Sequence, residues 1–264
     1  MSTSLYCRMK TMSRNTSHPN SSFLICIPVY NEARNIEEIL SKVEKASPGS
    51  DILVVDDGSR DATPEILSKQ ENIHIIRHQT NQGYGQSLIE GFKFALEKKY
   101  TYIITIDSDK QHQPKEIKKF IQLINTEEWD IISGSRYLEY DPESIGSAPQ
   151  DRREVNARIT QKINQLTGYR LTDAFCGFKL YKTEALRKLK LTEPGYSMPL
   201  QLWIQAWKNQ FSITEVPVSL IYLDKNINQT SNWRNVFTRY RYYLQTIEKE
   251  LKAYENISTG SPSR

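Results

Sequence analysis

Residues 23–59 read FLICIPVYNEARNIEEILSKVEKASPGSDILVVDDGS. The opening run Phe23–Val29 is apolar throughout, which is the pattern of a strand buried on both faces. Ile36, Ile39, Leu40 and Val43 follow at helical spacing, and Ile52–Val55 is a second apolar run. Strand, amphipathic helix, strand is the unit of a parallel sheet, because a parallel connection needs a crossover long enough to hold a helix. The unit repeats downstream. Thr63-Pro64-Glu65 marks a helix start with Pro in its first turn, and Ile73–Arg77 reads as a third strand. Leu88, Phe92, Ala95 and Leu96 predict a long helix, Tyr102–Ile106 a fourth strand, and Ile117, Phe120, Ile121 and Ile124 another helix. The expectation is an α/β fold with a mostly parallel central sheet flanked by helices.

The second half is less regular. Strands are expected at Ile131–Ser133, Phe175–Tyr181 and Ile213–Ile221, and helices at Glu154–Leu166, Pro199–Lys208 and about Trp233–Lys252. The stretch from Glu139 to Arg153 contains Pro, Gly and Ser and has the length of an active-site loop. Residues 1–21, rich in Ser, Thr and Asn, predict a disordered arm, and 254–264 a disordered tail. Between them 22–253 reads as a single domain with halves 22–114 and 115–253.

Composition excludes several classes. The chain has 264 residues, enough for a core that needs no staples. Its longest apolar run, Phe23–Tyr30, is too short for a bilayer-spanning helix. Three cysteines lie far apart without a CxxC, against a disulfide scaffold or a Cys-rich zinc site. The first twenty residues lack the apolar core of an export signal, so a cytoplasmic location is expected. The net charge of +4 is dispersed, which argues against nucleic acid as a partner.

In open parallel sheets, ligands bind beyond the carboxyl ends of the strands. Those ends here are Pro28-Val29-Tyr30-Asn31-Glu32, Asp56-Asp57-Gly58-Ser59 and Asp107-Ser108-Asp109, with Gln111 and His112 just after. Asp107 and Asp109 point the same way in extended backbone. Two carboxylates without a paired His or Cys suit a hard cation such as Mg²⁺ or Mn²⁺, leaving coordination positions open for the oxygens of a diphosphate leaving group.

Seven ordered motifs carry a family resemblance: Ile27-Pro28-Val29-Tyr30-Asn31-Glu32, Val54-Val55-Asp56-Asp57-Gly58-Ser59, Asn81-Gln82-Gly83-Tyr84-Gly85, Asp107-Ser108-Asp109-Lys110-Gln111-His112-Gln113-Pro114, Gly134-Ser135-Arg136-Tyr137, Asp173-Ala174-Phe175-Cys176-Gly177-Phe178-Lys179 and Glu215-Val216-Pro217-Val218. From Phe23 to about Ile221 the chain resembles the family 2 glycosyltransferases, in their dolichol-phosphate mannosyltransferase-like branch. The resemblance implies a GT-A fold that binds a UDP- or GDP-sugar donor. Pro28, Tyr30, Glu32, Val55, Asp56 and Asp57 would hold base and ribose, with Asp107, Ser108 and Gln111 completing the nucleotide-sugar site. Asp107, Asp109 and Gln111 would hold the metal. Arg136, with Arg152 or Arg153, would bind an acceptor phosphate, as arginine's fork suits.

The resemblance implies inversion through one in-line attack. A polyprenyl or dolichyl phosphate acceptor needs no general base, because its second pKa lies near ~6. A soluble hydroxyl acceptor would need one, and Asp173 is the best residue for it. The catalytic expectation is therefore Asp109, Asp173 and Arg136. The segment Leu223–Thr230 departs from the branch in carrying only Lys225 as a base, which keeps the soluble acceptor open beside an inactive nucleotide-sugar binder. Arg234, Arg239 and Arg241 stand among Trp233, Phe237, Tyr240, Tyr242 and Tyr243 in the last helix. Packing on the domain is favoured there over peripheral contact with a membrane face.

Overall fold

The computed structural model describes residues 22–139, 150–219, 221 and 236–259. The expected arm 1–21, the centre of the 139–153 loop, the 223–230 segment and the tail beyond 259 lie outside the described residues. The strands are β1 (Phe23–Val29), β2 (Asp51–Asp56), β3 (Ile73–Arg77), β4 (Tyr102–Thr105), β5 (Ile131–Ser135), β6 (Lys179–Lys182) and β7 (Ile213–Pro217). The helices are α1 (Ile36–Ala46), α2 (Thr63–Ser68), α3 (Tyr84–Lys98), α4 (Ile117–Ile124), α5 (Gln150–Thr167), α6 (Thr183–Leu186), α7 (Met198–Lys208) and α8 (Val236–Thr259). One seven-stranded sheet runs in the order β3-β2-β1-β4-β6-β5-β7.

Strand β1 is central and its side chains alternate between two cores. Leu24 and Cys26 join Leu53, Val55 and Ile103 beneath α3, α5, α7 and α8. Ile25, Ile27 and Val29 join Ile52, Val54 and Ile104 beneath α1, α2 and α4. Ile36, Ile39, Leu40 and Val43 are the buried stripe of α1, as their spacing predicts. Tyr243 and Ile247 of α8 enter the first core and Arg239 is only 8% exposed, so the last helix packs on the domain.

The second half differs from expectation in four places. Strand β6 is antiparallel to both β4 and β5, so the sheet reverses locally. The strand expected from Phe175 starts only at Lys179. Before it, the Asp173 carboxylate accepts the Phe175 N–H at 3.1 Å and folds the chain into a turn. Lys179 is 2% exposed; its Nζ donates to the Cys176 carbonyl and lies 5.6 Å from the Trp203 ring centroid. Helix α5 begins at Gln150, which puts Arg152 and Arg153 on a helix rather than in an irregular loop. Strand β7 ends at Pro217, on the sheet edge where a missing N–H is tolerated.

Gly58, just past β2, has φ +74°, and a Cβ there would lie 2.6 Å from the Thr80 carbonyl carbon and 2.8 Å from the Asn81 nitrogen. Both contacts are backbone and cannot turn aside. Gly58→Ala is expected to lower stability by about 2–3 kcal/mol. Gly49→Ala, at φ +82° but with nothing within 4 Å, bears only the conformational part. Urea unfolding of the two variants checks the difference; equal losses would remove the steric argument.

Candidate active site

The strand-end loops interlock. Asn31 donates its N–H to Ser59 Oγ at 2.9 Å and accepts the Arg60 N–H at 2.8 Å. Asn31 sits at φ 57°, a left-handed position that Asn tolerates. The Glu32 N–H reaches Thr63 Oγ1 at 2.9 Å. Ser108, buried, donates its hydroxyl to the Pro28 carbonyl at 3.0 Å and ties β4 to β1. Val55 is fully buried and registers with Pro28 across β1 and β2. Tyr30 is 44% exposed at the lip. Burial raises the Glu32 carboxyl above its usual range, with the Asp109 and Asp61 charges adding to it.

Asp56 and Asp57 serve different ends. Asp56 is fully buried, and its Oδ1 accepts the Ser59 N–H at 2.9 Å. Its Oδ2 lies 3.2 Å from Arg77 Nε yet has no hydrogen-bond partner, leaving an acceptor unused. Asp57, expected to hold the nucleotide, is instead spent inside the protein. Its Oδ1 takes His78 Nδ1 and the Gln82 N–H, both at 2.7 Å, and its Oδ2 takes the Gly83 N–H at 2.9 Å.

Asp107 and Asp109 stand past the end of β4. Asp107 Oδ1 accepts the Tyr84 hydroxyl at 2.9 Å, and Oδ2 is 3.4 Å from His112 Nε2. Burial opposes its ionisation, but His112, Tyr84 and the Arg136 charge outweigh burial and hold the carboxyl below its usual range. Asp109 is exposed, and its Oδ1 accepts the Gln111 N–H at 3.0 Å. Partial desolvation, then the neighbouring Asp107 charge, raises its carboxyl. Gln111 is half-buried, and its carbonyl accepts the Ile221 N–H at 3.4 Å. Among the described residues no three His, Cys, Asp or Glu side chains converge to hold a metal. Two hard carboxylates fit Mg²⁺, which commonly binds through one or two carboxylates together with substrate phosphates.

On the other side, Arg136 follows β5. Its Nε and Nη2 fork onto Asp173 at 2.6 and 2.9 Å. Asp173 has no exposed side-chain surface. Burial opposes its charge, but Arg136 overrides this and holds the carboxyl below its usual range. Asp173 is therefore not placed as a general base: it is inaccessible, ionised and fully engaged. The pair is neutral overall, which weakens Arg136 as a phosphate ligand. Arg152 and Arg153, about 100° apart around α5, face different ways. Arg152 acts electrostatically on the Tyr196 and Tyr243 hydroxyls, against the burial that raises both. Arg153 lines a recess of about 250 Å³ with Tyr137, Asn156 and Thr160.

A family model, Glycosyl transferase family 2, matches residues 24–190. The chain belongs to glycosyl transferase family 2. Relatives include polyprenol monophosphomannose synthase of Mycolicibacterium smegmatis, 28% identical over 82% of this chain and 83% of that protein. Another is the UDP-N-acetylglucosamine–dolichyl-phosphate N-acetylglucosaminyltransferase of Methanococcus voltae, 30% identical over 79% of this chain and 89% of that protein. They support the dolichol-phosphate mannosyltransferase-like branch. Glucosyl-3-phosphoglycerate synthase from Mycobacterium tuberculosis, solved with Mg²⁺ and UDP, superposes with a TM-score of 0.66 at 17% identity, covering 89% of this chain and 80% of that one. The fold of this family 2 glycosyltransferase is GT-A.

Sequence reading misses Tyr84, His112 and Gly177 as site residues. Tyr84 is hidden by the glycines beside it, which read as a turn. His112 is 3% exposed and its Nδ1 has no partner. Gly177 closes the floor: a Cβ there would lie 2.3 Å from Asp107 Oδ2.

Proposed function

We propose that this glycosyltransferase moves a sugar from a nucleoside-diphosphate sugar to a polyprenyl phosphate, using Mg²⁺ or Mn²⁺ at Asp107 and Asp109. The unused Asp56 Oδ2, beside the Arg77 guanidinium, is an acceptor for a base N–H or a ribose hydroxyl. Asp107, fixed by Tyr84 and His112, and Asp109 would hold the cation, which would offset the charge of the diphosphate leaving group. An acceptor phosphate oxygen attacks the anomeric carbon as the bond to the diphosphate oxygen breaks, with inversion. Arg152 would bind the acceptor phosphate.

The engagement of Asp173 carries the choice of acceptor. With its carboxylate locked to Arg136, Asp173 cannot take a proton from a hydroxyl nucleophile. A phosphate acceptor supplies its own anionic oxygen. The names of both relatives point the same way. No described helix is long and apolar enough to cross a membrane. Phe237, 80% exposed, and the exposed Arg241 on α8 suit contact with a lipid surface.

Turnover of UDP- and GDP-sugars with a short-chain polyprenyl phosphate tests this reading. Product formation is expected to require both the lipid phosphate and Mg²⁺ or Mn²⁺, and to stop with EDTA. Metal-dependent transfer to a soluble hydroxyl compound without lipid would replace the acceptor, and failure to bind any donor would overturn the reading.

A further inference from the structure

One aromatic pair at the mouth of the site is left over from the donor and acceptor contacts above. The Tyr196 ring stacks on Tyr84, with centroids 5.6 Å apart and planes 15° from parallel. Tyr84 in turn donates its hydroxyl to Asp107. Tyr196 is nevertheless 58% exposed, so Tyr84 covers one ring face and the other is open.

That display is rigidly built. The Thr192 and Glu193 N–H groups both donate to Gln201 Oε1 at 2.8 Å. The Tyr242 hydroxyl of α8 donates to Glu193 Oε1 at 2.6 Å, and the Gln86 N–H of α3 reaches the Pro194 carbonyl at 3.0 Å. Gly83 and Gly85 let the segment sit against the start of α3: a Cβ at either would come within 2.4 Å of the Pro194 or Glu193 carbonyl oxygen. An exposed ring whose segment is held from behind by three helices is preorganised for a ligand.

Position selects the ligand. Tyr196 stacks on the ring whose hydroxyl bonds Asp107, so it stands one ring away from that carboxylate. With the base at Asp56 and the diphosphate at Asp107 and Asp109, the part of the donor that must lie toward the acceptor is the sugar. A pyranose offers a face of C–H bonds, whose slightly positive hydrogens complement the negative face of an aromatic ring.

We propose that Tyr196 is the platform for the transferred sugar, whose C–H face rests on the open side of the ring. This rests on the donor reading above. Tyr84 acts from behind, keeping the platform in fixed relation to Asp107.

Calorimetric titration of Tyr196→Ala and Tyr196→Phe, with Mn²⁺ present, tests the assignment using UDP-glucose and GDP-mannose against UDP and GDP alone. Tyr196→Ala is expected to weaken binding of the sugar-bearing ligand roughly 3–10-fold while leaving the bare nucleotide and the thermal midpoint unchanged. Tyr196→Phe keeps the ring and is expected to stay within about twofold of the parent protein. An equal loss for nucleotide and nucleotide sugar would mean that Tyr196 acts only through Tyr84 and Asp107, and would overturn the platform. So would unchanged binding of both, or an effect confined to the acceptor KM. Failure of the parent protein to bind either nucleotide sugar would instead remove the donor reading, a result visible before any variant is made.

Discussion

Gly177→Ala is expected to cut sugar transfer by about 100-fold or more while leaving the fold intact. Gly177 is outside the left-handed region, so alanine meets no backbone strain there. The added methyl acts only through space: it would stand 2.3 and 2.5 Å from the two Asp107 oxygens. The carboxylate must rotate away, and its contacts with Tyr84 and His112 go with it. A displacement of about 1 Å in a positioned group is enough for such a loss. Asp107→Ala is the companion, since both changes remove the same carboxylate from its place. The check is kcat/KM beside a thermal melt. Normal activity in Gly177→Ala, or a melt that collapses with it, would show that the floor of the site is not what the geometry indicates.

The second large effect is on stability. Asp173→Ala leaves the Arg136 guanidinium, with a side chain only 10% exposed, buried without its partner. Breaking a buried pair from one side typically costs about 3–5 kcal/mol. Removing both charges, as in Arg136→Met with Asp173→Ala, is expected to recover much of that loss. Urea unfolding of the two single variants and the double measures the coupling. A stable Asp173→Ala protein that had lost activity and the acidic limb of its pH profile would restore Asp173 as a base.

These two residues mark where sequence reading stops. Periodicity located β1 to β4, α1 and α3 because continuous apolar strands and 3.6-residue stripes are strong local signals. It also placed Asp56, Asp107 and Asp109 at one sheet edge, since strand ends follow from strands. The late start of β6 was hidden. Phe175 to Phe178 are apolar enough for a strand, and a single carboxylate–amide bond at Asp173 turns them out of one. Asp173 and Arg136 are 37 residues apart, so no local pattern pairs them. Asp57 looked equivalent to Asp56 because the two are adjacent, although its carboxylate is spent on His78, Gln82 and Gly83.

The reversal of β6 has a consequence for how such proteins can be recombined. The turn before that strand brings Gly177 back to the carboxyl end of β4, where its carbonyl accepts the Thr105 hydroxyl at 2.6 Å. The support under Asp107 is thus encoded about seventy residues later in the chain. Exchanging the first 114 residues between two enzymes would import the Asp107 carboxylate without the surface it was fitted to. Chimeras should carry the 173–179 turn along with the first 114 residues.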